Sequence, residues 1–407
     1  MSSTRSPRSL RLAVLGGPPL FEAPLHVGRP NIGDREVFNA RMSGMLDRRW
    51  FTNDGPLVRE FERRIAALVG VRHCVALCNA TVALEIATRA LDLRGEVIVP
   101  SYTFVATAHA LQWQEITPVF ADMDPATYTV APEAIRRLIT PKTTGIIGVH
   151  VWGRACDVDA ITAIAAEHRL KVVFDAAHAF GCSRRGRMIG SFGACEVFSF
   201  HATKFLNCFE GGAITTNDDA LAEKMRLMRN FGFGGYDRVI YIGTNGKMTE
   251  VCAAMGLTSL DAMNEIVAVN RRNYEAYRAH FAAVPGLSVI RYDPAERNNY
   301  QYVVVEVDPA RAGLTRDELI AVLHAERVLA RKYFWPGAHR MEPYRSLQPN
   351  AGVLLPHTER VAERILVLPT GQSVSEADVD GVADVVQTAL SLAPEVRQAL
   401  VDLARTA

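Results

Sequence analysis

Short runs of β-branched residues alternate with helix-like segments from residue 71 onward, and this alternation constrains the fold more than any other feature of the sequence. Seven runs are predicted to be strands, at residues 71–77, 96–100, 117–122, 144–151, 171–175, 196–200 and 212–216. Helices are predicted between them, at 80–93, 105–114, 132–139, 157–168 and 219–230. Strands that alternate with crossover helices form parallel sheets covered on both faces. We therefore expect an α/β fold with a seven-stranded, mainly parallel sheet.

The pattern changes after Gly243. Residues 249–283 have few helix breakers and recurring apolar residues, which predict one long helix with a kink near Gly256. A strand at 300–307, a helix at 316–327, a strand at 329–334 and a last helix at 375–392 are predicted to follow. We expect these segments to form a smaller C-terminal α+β domain over residues 261–407, after an N-terminal extension (1–26) and a large domain (27–260).

Charge and composition exclude several classes of protein. The 45 basic and 44 acidic side chains give a net charge of +1, so no nucleic-acid partner is expected. No apolar run approaches the roughly 20 residues that span a bilayer, and the N-terminal apolar stretch is too short for a signal peptide. The seven cysteines include no C-x-x-C pair, which favours buried thiols in a reducing compartment. We expect a cytoplasmic protein with no membrane partner.

The residues that follow the predicted strands are the first candidates for a functional site, because ligands of open α/β sheets bind beyond the carboxyl ends of the strands. The first strand runs through Asn79, Ala80 and Thr81 into a helix whose free N–H groups suit a phosphate. Simple capping of that helix is the alternative, since no Gly-rich loop is present. The fifth strand ends at Asp175, with His178 three residues further on. A buried carboxylate there needs a cationic partner, unless Asp175 is a turn residue and His178 a structural histidine.

Lysine is scarce, which narrows the search for an amine nucleophile. Only six lysines occur among the 45 basic residues. Lys204 is the one that comes just after a central strand, and a buried amine there would have a lowered pKa and could form a Schiff base. A surface lysine in a loop is the commoner case. A phosphate cradle, an acid for a pyridinium nitrogen and an amine nucleophile are together the groups that hold pyridoxal 5′-phosphate (PLP), so the strand ends jointly predict a PLP site.

Longer segments of the sequence resemble the DegT/DnrJ/StrS family of sugar aminotransferases, which are PLP enzymes of fold type I. The resemblance is carried by CNATVALEIATRAL, PSYTFVATAHAL, VFDAAHAFGC, FSFHATKFLNCFEGGA and GTNGKMTEVCAAMGLTSLDA. It runs from about residue 27 to the last predicted helix. Within the family, the segments GRPN, FTNDGPLVREFE, HVWGRACD and YFWPGAHRMEPY are most similar to the TDP-4-amino-4,6-dideoxy-D-glucose transaminases.

The resemblance implies a role for each residue at the strand ends. Lys204 would carry the cofactor and move the proton, and Asp175 would pair with the pyridinium nitrogen. His178 would lie near the phenolic oxygen of the cofactor, and Phe104 would stack on its ring. The phosphate would be bound by Ala80, Thr81, Ser199 and, from the other subunit of a homodimer, Asn245. The family often has glycine at the position of Ala80, a change that keeps the backbone donor.

Substrate recognition is less well marked. Tyr333, Phe334 and His339 align with the small-domain segment that closes over the sugar nucleotide in the family. Arginines on a predicted hairpin could meet a diphosphate, although a solvated turn is the alternative; they are Arg184, Arg185 and Arg187. No metal site is expected.

The resemblance implies a PLP-dependent aminotransferase that converts TDP-4-keto-6-deoxy-D-glucose into TDP-4-amino-4,6-dideoxy-D-glucose, with L-glutamate as amino donor, in deoxyaminosugar biosynthesis for a natural product such as an antibiotic. A 3-aminotransferase acting on a TDP-3-keto-6-deoxyhexose is an alternative that differs in how the hexose lies in the pocket. A dehydratase branch has histidine in place of the lysine, so Lys204 argues against it. A PLP-binding regulatory protein without turnover, or a nucleic-acid binder, are alternatives from other classes.

Overall fold

The computed structural model describes residues 10–406, so part of the predicted N-terminal extension lies outside the described residues. The strands are β1 (Leu25–His26), β2 (His73–Leu77), β3 (Glu96–Pro100), β4 (Thr117–Ala121), β5 (Thr143–Val149), β6 (Lys171–Asp175), β7 (Ser183–Arg184), β8 (Arg187–Met188), β9 (Cys195–Ser199), β10 (Gly212–Thr216), β11 (Leu287–Val289), β12 (Val303–Val307), β13 (Val328–Leu329) and β14 (Ile365–Leu368). The α-helices are α1 (Arg35–Arg48), α2 (Pro56–Val69), α3 (Ala80–Ala90), α4 (Ala106–Gln112), α5 (Pro132–Leu138), α6 (Val158–His168), α7 (Asp219–Met228), α8 (Glu250–Asp261), α9 (Met263–Phe281), α10 (Pro309–Ala312), α11 (Arg316–Ala325), α12 (Tyr344–Leu347), α13 (Pro356–Ala362), α14 (Glu376–Ser391) and α15 (Ala393–Thr406).

The central sheet has seven strands in the order β2-β10-β9-β6-β5-β3-β4. Its strands are parallel except β10, which runs antiparallel to both of its neighbours, β2 and β9. The predicted mainly parallel sheet is therefore confirmed, with strand ends that differ from the prediction by at most two residues. Helices cover both faces, and the apolar strand residues are almost all buried as a result. The carboxyl ends of β2, β3, β5, β6 and β9 meet at one edge of the sheet.

The single long helix predicted over residues 249–283 is wrong. Two helices occupy this stretch, α8 and α9, which meet at Ala262 with a bend of 62°. Gly256, where the kink was expected, lies inside α8 and serves close packing instead. A Cβ at this glycine would stand 2.5 Å from the sulfur of Cys208 and 2.6 Å from the ring of Phe61.

Two helices that precede β2, α1 and α2, were not predicted, and α1 lacks an apolar stripe. α1 buries only Met45 among its 14 residues, so the sequence shows no helical period there. Its start is fixed by Asp34, whose carboxylate accepts hydrogen bonds from the backbone N–H groups of Glu36 and Val37. α2 starts at Pro56 and packs its apolar face on α8 and β2.

The C-terminal region contains an antiparallel sheet, β11-β12-β14, and its predicted strands are shorter than expected. The strand predicted over 300–307 begins only at Val303, because the side chain of Asn299 bonds to the carbonyl oxygen of His178 in the loop after β6. The strand predicted over 329–334 is limited to β13, which pairs with β1. The last predicted helix is confirmed as α14, and α15 follows it.

Several buried apolar clusters build the interior. One cluster joins Leu12 and Leu25 to α9, α11, α14 and the C-terminal sheet. The others surround the central sheet. The N-terminal segment thus packs on the C-terminal half, while the division of the chain at residues 26 and 260 stays a prediction. Within residues 10–406 no single helix is long and apolar enough to cross a membrane, although α8 and α9 taken as a bent pair reach that length and composition.

Candidate active site

The structure brings the residues at the ends of β2, β6 and β9 to one edge of the sheet. Asp175 is the last residue of β6, and Ser199 is the last residue of β9. Lys204 lies in the turn after β9, where its backbone N–H bonds to the carbonyl oxygen of His201 at 2.8 Å. Three residues beyond the end of β2, Ala80 begins α3. This convergence follows from the strand order, because β2, β9 and β6 run in the same direction.

Lys204 and Asp175 form the electrostatic centre of the site. Burial lowers the pKa of the Lys204 amine from 10.5 to about 8, against the opposing charge of Asp175. Burial raises the pKa of the Asp175 carboxyl, while hydrogen bonds and the positive charge of Lys204 oppose the rise. An amine with a pKa near 8 is available as a nucleophile and a base at physiological pH.

The carboxylate of Asp175 is fixed by two hydrogen bonds. The hydroxyl of Thr107 donates to one oxygen at 2.8 Å, and the backbone N–H of Ala177 donates to the other at 3.0 Å. The Thr107 hydroxyl is in turn 2.9 Å from the hydroxyl of Thr103. Asp175 is 6% exposed, and a buried carboxylate held in this way favours a cationic partner on its open side.

His178 is buried, and burial holds its pKa well below the ordinary value, so the ring is neutral. Its Nδ1 accepts a hydrogen bond from the backbone N–H of Trp152 at 3.4 Å, which leaves the proton on Nε2. The ring is stacked on Phe334, with centroids 5.4 Å apart and planes 1° from parallel. A neutral imidazole with its N–H on Nε2 is a donor for an oxygen atom in the site.

The phosphate cradle was predicted at the first turn of α3, and this role stays a prediction. Asn79 caps the helix, since its side-chain oxygen accepts from the backbone N–H of Val82 at 2.9 Å. Capping, the alternative considered for this segment, therefore occurs for Asn79, and the N–H groups of Ala80 and Thr81 remain at the helix N-terminus. Gly212 on β10 lies against this turn, where a Cβ would stand 2.5 Å from the carbonyl carbon of Asn79. The turn can hold this position only because residue 212 has no side chain.

Aromatic residues flank the site. Phe104 is 58% exposed and lies just before α4. It lines a cavity of about 360 Å³ together with Tyr333, Phe334 and Trp335. The backbone carbonyl of Tyr333 accepts a hydrogen bond from the hydroxyl of Tyr102 at 2.8 Å, which ties this segment to the sheet edge. Phe104, predicted near the cofactor, and Tyr333 and Phe334, predicted near the sugar nucleotide, therefore line one cavity beside the site.

The remaining predicted site residues are placed as follows. Both ring nitrogens of His339 are engaged, Nδ1 with the hydroxyl of Ser101 at 2.6 Å and Nε2 with Glu359 at 2.8 Å. The predicted contact of His339 with substrate stays a prediction. Asn245 is exposed, and its side-chain oxygen accepts a hydrogen bond from Nζ of Lys247 at 2.6 Å.

The predicted arginine hairpin is present as β7 and β8. Arg184 and Arg185 form ion pairs with Asp159, and Arg187 lies over the ring of Phe192. These partners agree with a folded surface turn, the alternative given for the hairpin.

Two residues near the centre of the site were missed by the sequence analysis. Thr107 lies on α4, 68 residues before Asp175 in the chain, and no local pattern marks it. Tyr302 places its hydroxyl 3.4 Å from Nζ of Lys204, and it sits in a run of apolar and polar residues that reads as an ordinary strand. The fold alone brings these hydroxyls to the reactive groups.

The residues present fit PLP. A lysine of lowered pKa, a buried acid that favours a cation, a neutral histidine donor and a helix N-terminus lie at one edge of the sheet. Each suits one part of PLP: the lysine suits the aldehyde, and the acid suits the pyridinium nitrogen. The histidine suits the phenolic oxygen, and the helix N-terminus suits the phosphate. Together with the mainly parallel sheet and the antiparallel sheet β11-β12-β14, they define a PLP-dependent aminotransferase of fold type I.

Comparison with known proteins gives the family. Residues 33–387 match the model of the DegT/DnrJ/EryC1/StrS aminotransferase family, and the chain belongs to this family. It is 35% identical over 357 residues to the dTDP-4-amino-4,6-dideoxy-D-glucose transaminase of Shigella dysenteriae, covering 87% of this chain and 96% of that protein. It is 37% identical over 342 residues to the GDP-perosamine synthase of Caulobacter vibrioides, covering 83% and 91%. The structure of DesI with its TDP-sugar product superposes with a TM-score of 0.91 at 50% identity, over 97% of this chain and 99% of that one.

Proposed function

We propose that the chain aminates TDP-4-keto-6-deoxy-D-glucose to TDP-4-amino-4,6-dideoxy-D-glucose with L-glutamate as amino donor, as a step of deoxyaminosugar biosynthesis for a natural product such as an antibiotic. The observation that carries the reaction class is the buried pair of Lys204 and Asp175 at one edge of the sheet. The similarity to DesI, solved with its TDP-sugar product, supports the sugar nucleotide.

Each group of the site has a task in this reaction. PLP, when bound, supplies an electron sink that lets a proton leave the carbon attached to nitrogen. The carboxylate of Asp175 would hold the ring nitrogen in its protonated form, and the Nε2–H of His178 would donate to the phenolic oxygen. The N–H groups of Ala80 and Thr81 would bind the phosphate. The Lys204 amine would take up this proton and return it to the carbon on the other side of the same nitrogen, because its pKa of about 8 suits both steps near neutral pH.

The absorbance of the PLP-loaded protein tests both halves of the reaction. We expect L-glutamate to bleach the visible band and TDP-4-keto-6-deoxy-D-glucose to restore it, as a ping-pong reaction requires. Bleaching without recovery would leave the aminotransferase in place and show that the sugar or its keto position is different. A protein that neither bleaches nor turns over would favour the regulatory alternative. Lys204→Ala should lose the reaction, and full turnover by this variant would overturn the assignment.

The position of the new amino group distinguishes 4-amination from 3-amination. The proton NMR spectrum of the product should show the couplings of a hexose with nitrogen at C4. The comparison substrate is a TDP-3-keto-6-deoxyhexose, which should be converted far more slowly than the 4-keto sugar. Faster conversion of the 3-keto sugar would replace the proposed substrate with its alternative.

The proposed assembly is a cytoplasmic homodimer with shared active sites. The segment 231–242 exposes a run of apolar side chains, including Tyr236 at 102% and Ile242 at 74%, which is more than an isolated surface ordinarily shows. Asn245 follows this segment and is exposed, as a contact with the phosphate site of another subunit requires. All seven cysteines are unpaired thiols, in agreement with a reducing compartment.

Mixing two inactive variants tests the shared site. Lys204→Ala and Asn245→Ala each damage one component of every site in their own homodimer. A hybrid of the two chains contains one site with both residues intact, so about a quarter of wild-type activity should return after random subunit exchange. Mixtures that stay inactive although exchange is demonstrated would show that each site is built from one chain.

A further inference from the structure

Tyr302 lies beside the reactive amine and has no role in the proposal above. Its hydroxyl oxygen is 3.4 Å from Nζ of Lys204, and among residues 10–406 it is the side chain that hydrogen bonds to this amine. Tyr302 is 7% exposed and directly precedes β12, so it reaches the sheet edge from the C-terminal half of the chain.

The position of Tyr302 is fixed on several sides. Its backbone carbonyl accepts a hydrogen bond from the hydroxyl of Tyr292 at 2.9 Å. Its ring packs edge-on against His178, with centroids 4.9 Å apart, and against Tyr333 at 6.2 Å. The preceding residue, Gln301, donates to the carbonyl oxygen of His178 at 2.7 Å. The hydroxyl therefore cannot turn away from the amine without breaking the packing of the site.

The hydroxyl suits both protonation states of the amine. Burial raises the pKa of the Tyr302 phenol, so it stays neutral across the working range of the enzyme. A neutral phenol accepts a hydrogen bond from an ammonium group and donates one to a free amine. The other titratable groups facing Lys204 are Asp175 on β6, which is the charged one, and His178, which is neutral. Neither is within hydrogen-bond reach of the amine in the structure.

We propose that Tyr302 is a further catalytic residue of this enzyme: its hydroxyl accepts a hydrogen bond from the Lys204 ammonium and holds the amine in place between uptake and release of the proton. No bond other than this hydrogen bond is made or broken by Tyr302. The role rests on the proposed function only because that function assigns the proton transfer to Lys204.

The direct test uses the cofactor-free protein and Tyr302→Phe, which keeps the ring and removes the hydroxyl. The rate at which fluorodinitrobenzene modifies Lys204 is followed against pH by peptide mass spectrometry, which is practical with only six lysines. The wild-type midpoint should lie near the pKa of about 8. Loss of a hydrogen bond to a charged group should lower the midpoint of the variant by about one unit. A midpoint that stays in place or rises would overturn the proposal.

A second measurement separates this role from a structural one. In the PLP-loaded enzyme, Tyr302→Phe should lower kcat about tenfold while KM for the sugar nucleotide stays within about twofold. The matched control is Tyr277→Phe, because the Tyr277 hydroxyl is buried in the C-terminal core and has no hydrogen-bond partner among residues 10–406. The control should change neither the midpoint nor kcat. An unchanged kcat in Tyr302→Phe would refute the role. The pH midpoint of Lys204 modification is measured without sugar, so this test of Tyr302 remains valid even if the proposed substrate is wrong.

Discussion

Replacing Lys204 by methionine should make the cofactor-free protein more stable, and the gain should depend on pH. The pKa of Lys204 falls from 10.5 to about 8 on burial in the folded chain. Each pKa unit corresponds to about 1.4 kcal/mol. Keeping this lysine in the fold at pH 7 therefore costs about 3 kcal/mol of the free energy of unfolding.

The sign of the pH dependence follows from which state holds the proton. Below pH 8 both the folded and the unfolded chain bind it, and the full cost applies. Between pH 8 and 10.5 the unfolded chain keeps a proton that the folded chain has released, so stability rises with pH. Above 10.5 both forms are neutral and the cost disappears. The advantage of Lys204→Met should thus shrink by about 2.5 kcal/mol between about pH 7 and pH 10.

Urea unfolding of the cofactor-free proteins at one fixed protein concentration measures this difference. Because better or worse packing of methionine does not vary with pH, the change between the two pH values isolates the charge. Lys142→Met, in an exposed turn, is the matched control and should show no such change. An advantage of Lys204→Met that is equal at both pH values would refute the argument that this amine is buried at an energetic cost.

Three further substitutions test separate parts of the site and its support. Thr107→Val removes the hydroxyl that donates to Asp175 and should weaken PLP binding at least about tenfold in an absorbance titration, with Thr107→Ser close to wild type; equal affinities would contradict the inferred bond. Gly212→Ala should weaken PLP binding and destabilise the fold by about 1–3 kcal/mol in urea unfolding, since its Cβ would press on the turn that opens α3; an unaffected variant would show that this contact is not tight. The guanidinium of Arg229 lies 2.5 Å from the buried carboxylate of Glu62. Arg229→Met removes this partner and should lower the free energy of unfolding by about 3–5 kcal/mol. The double variant with Glu62→Leu should recover much of this loss, and failure to recover would assign the cost to packing.

The sequence predicts the sheet well because its strands carry a local signal. β3, β6 and β10 begin and end at the predicted residues, since strands buried on both faces are short runs rich in apolar and β-branched residues that are bounded by turns. Lys204 and Asp175 are predicted for the same reason, because their position at strand ends follows directly from the strand assignment. The convergence of these two residues at one edge then depends only on strand direction.

Other parts of the fold and site have no local signal. α1 buries a single residue, so its sequence lacks the period of a helix, and its partner surface lies elsewhere in space. The break between α8 and α9 falls at Ala262, a residue that ordinarily extends a helix. Tyr302 and Thr107 reach the site from segments 98 and 68 residues away from the groups they bond. Such contacts depend on which segments distant in the chain pack together, and no short pattern encodes that.

Burial of Lys204 and Asp175 both lowers the stability of the cofactor-free chain and prepares the site for PLP. Without the sheet edge enclosing them, the Lys204 amine would keep its ordinary pKa of 10.5 and Asp175 would have no need of a cationic partner. Burial shifts both pKa values toward the uncharged forms, which is unfavourable for the cofactor-free chain. A cofactor that bonds to the amine and presents a cation to the acid removes the cost of burying both groups. Part of the binding free energy of the cofactor therefore comes from relieving this cost. The stability lost at Lys204 and the affinity gained for PLP should therefore change together in variants that open this edge to water.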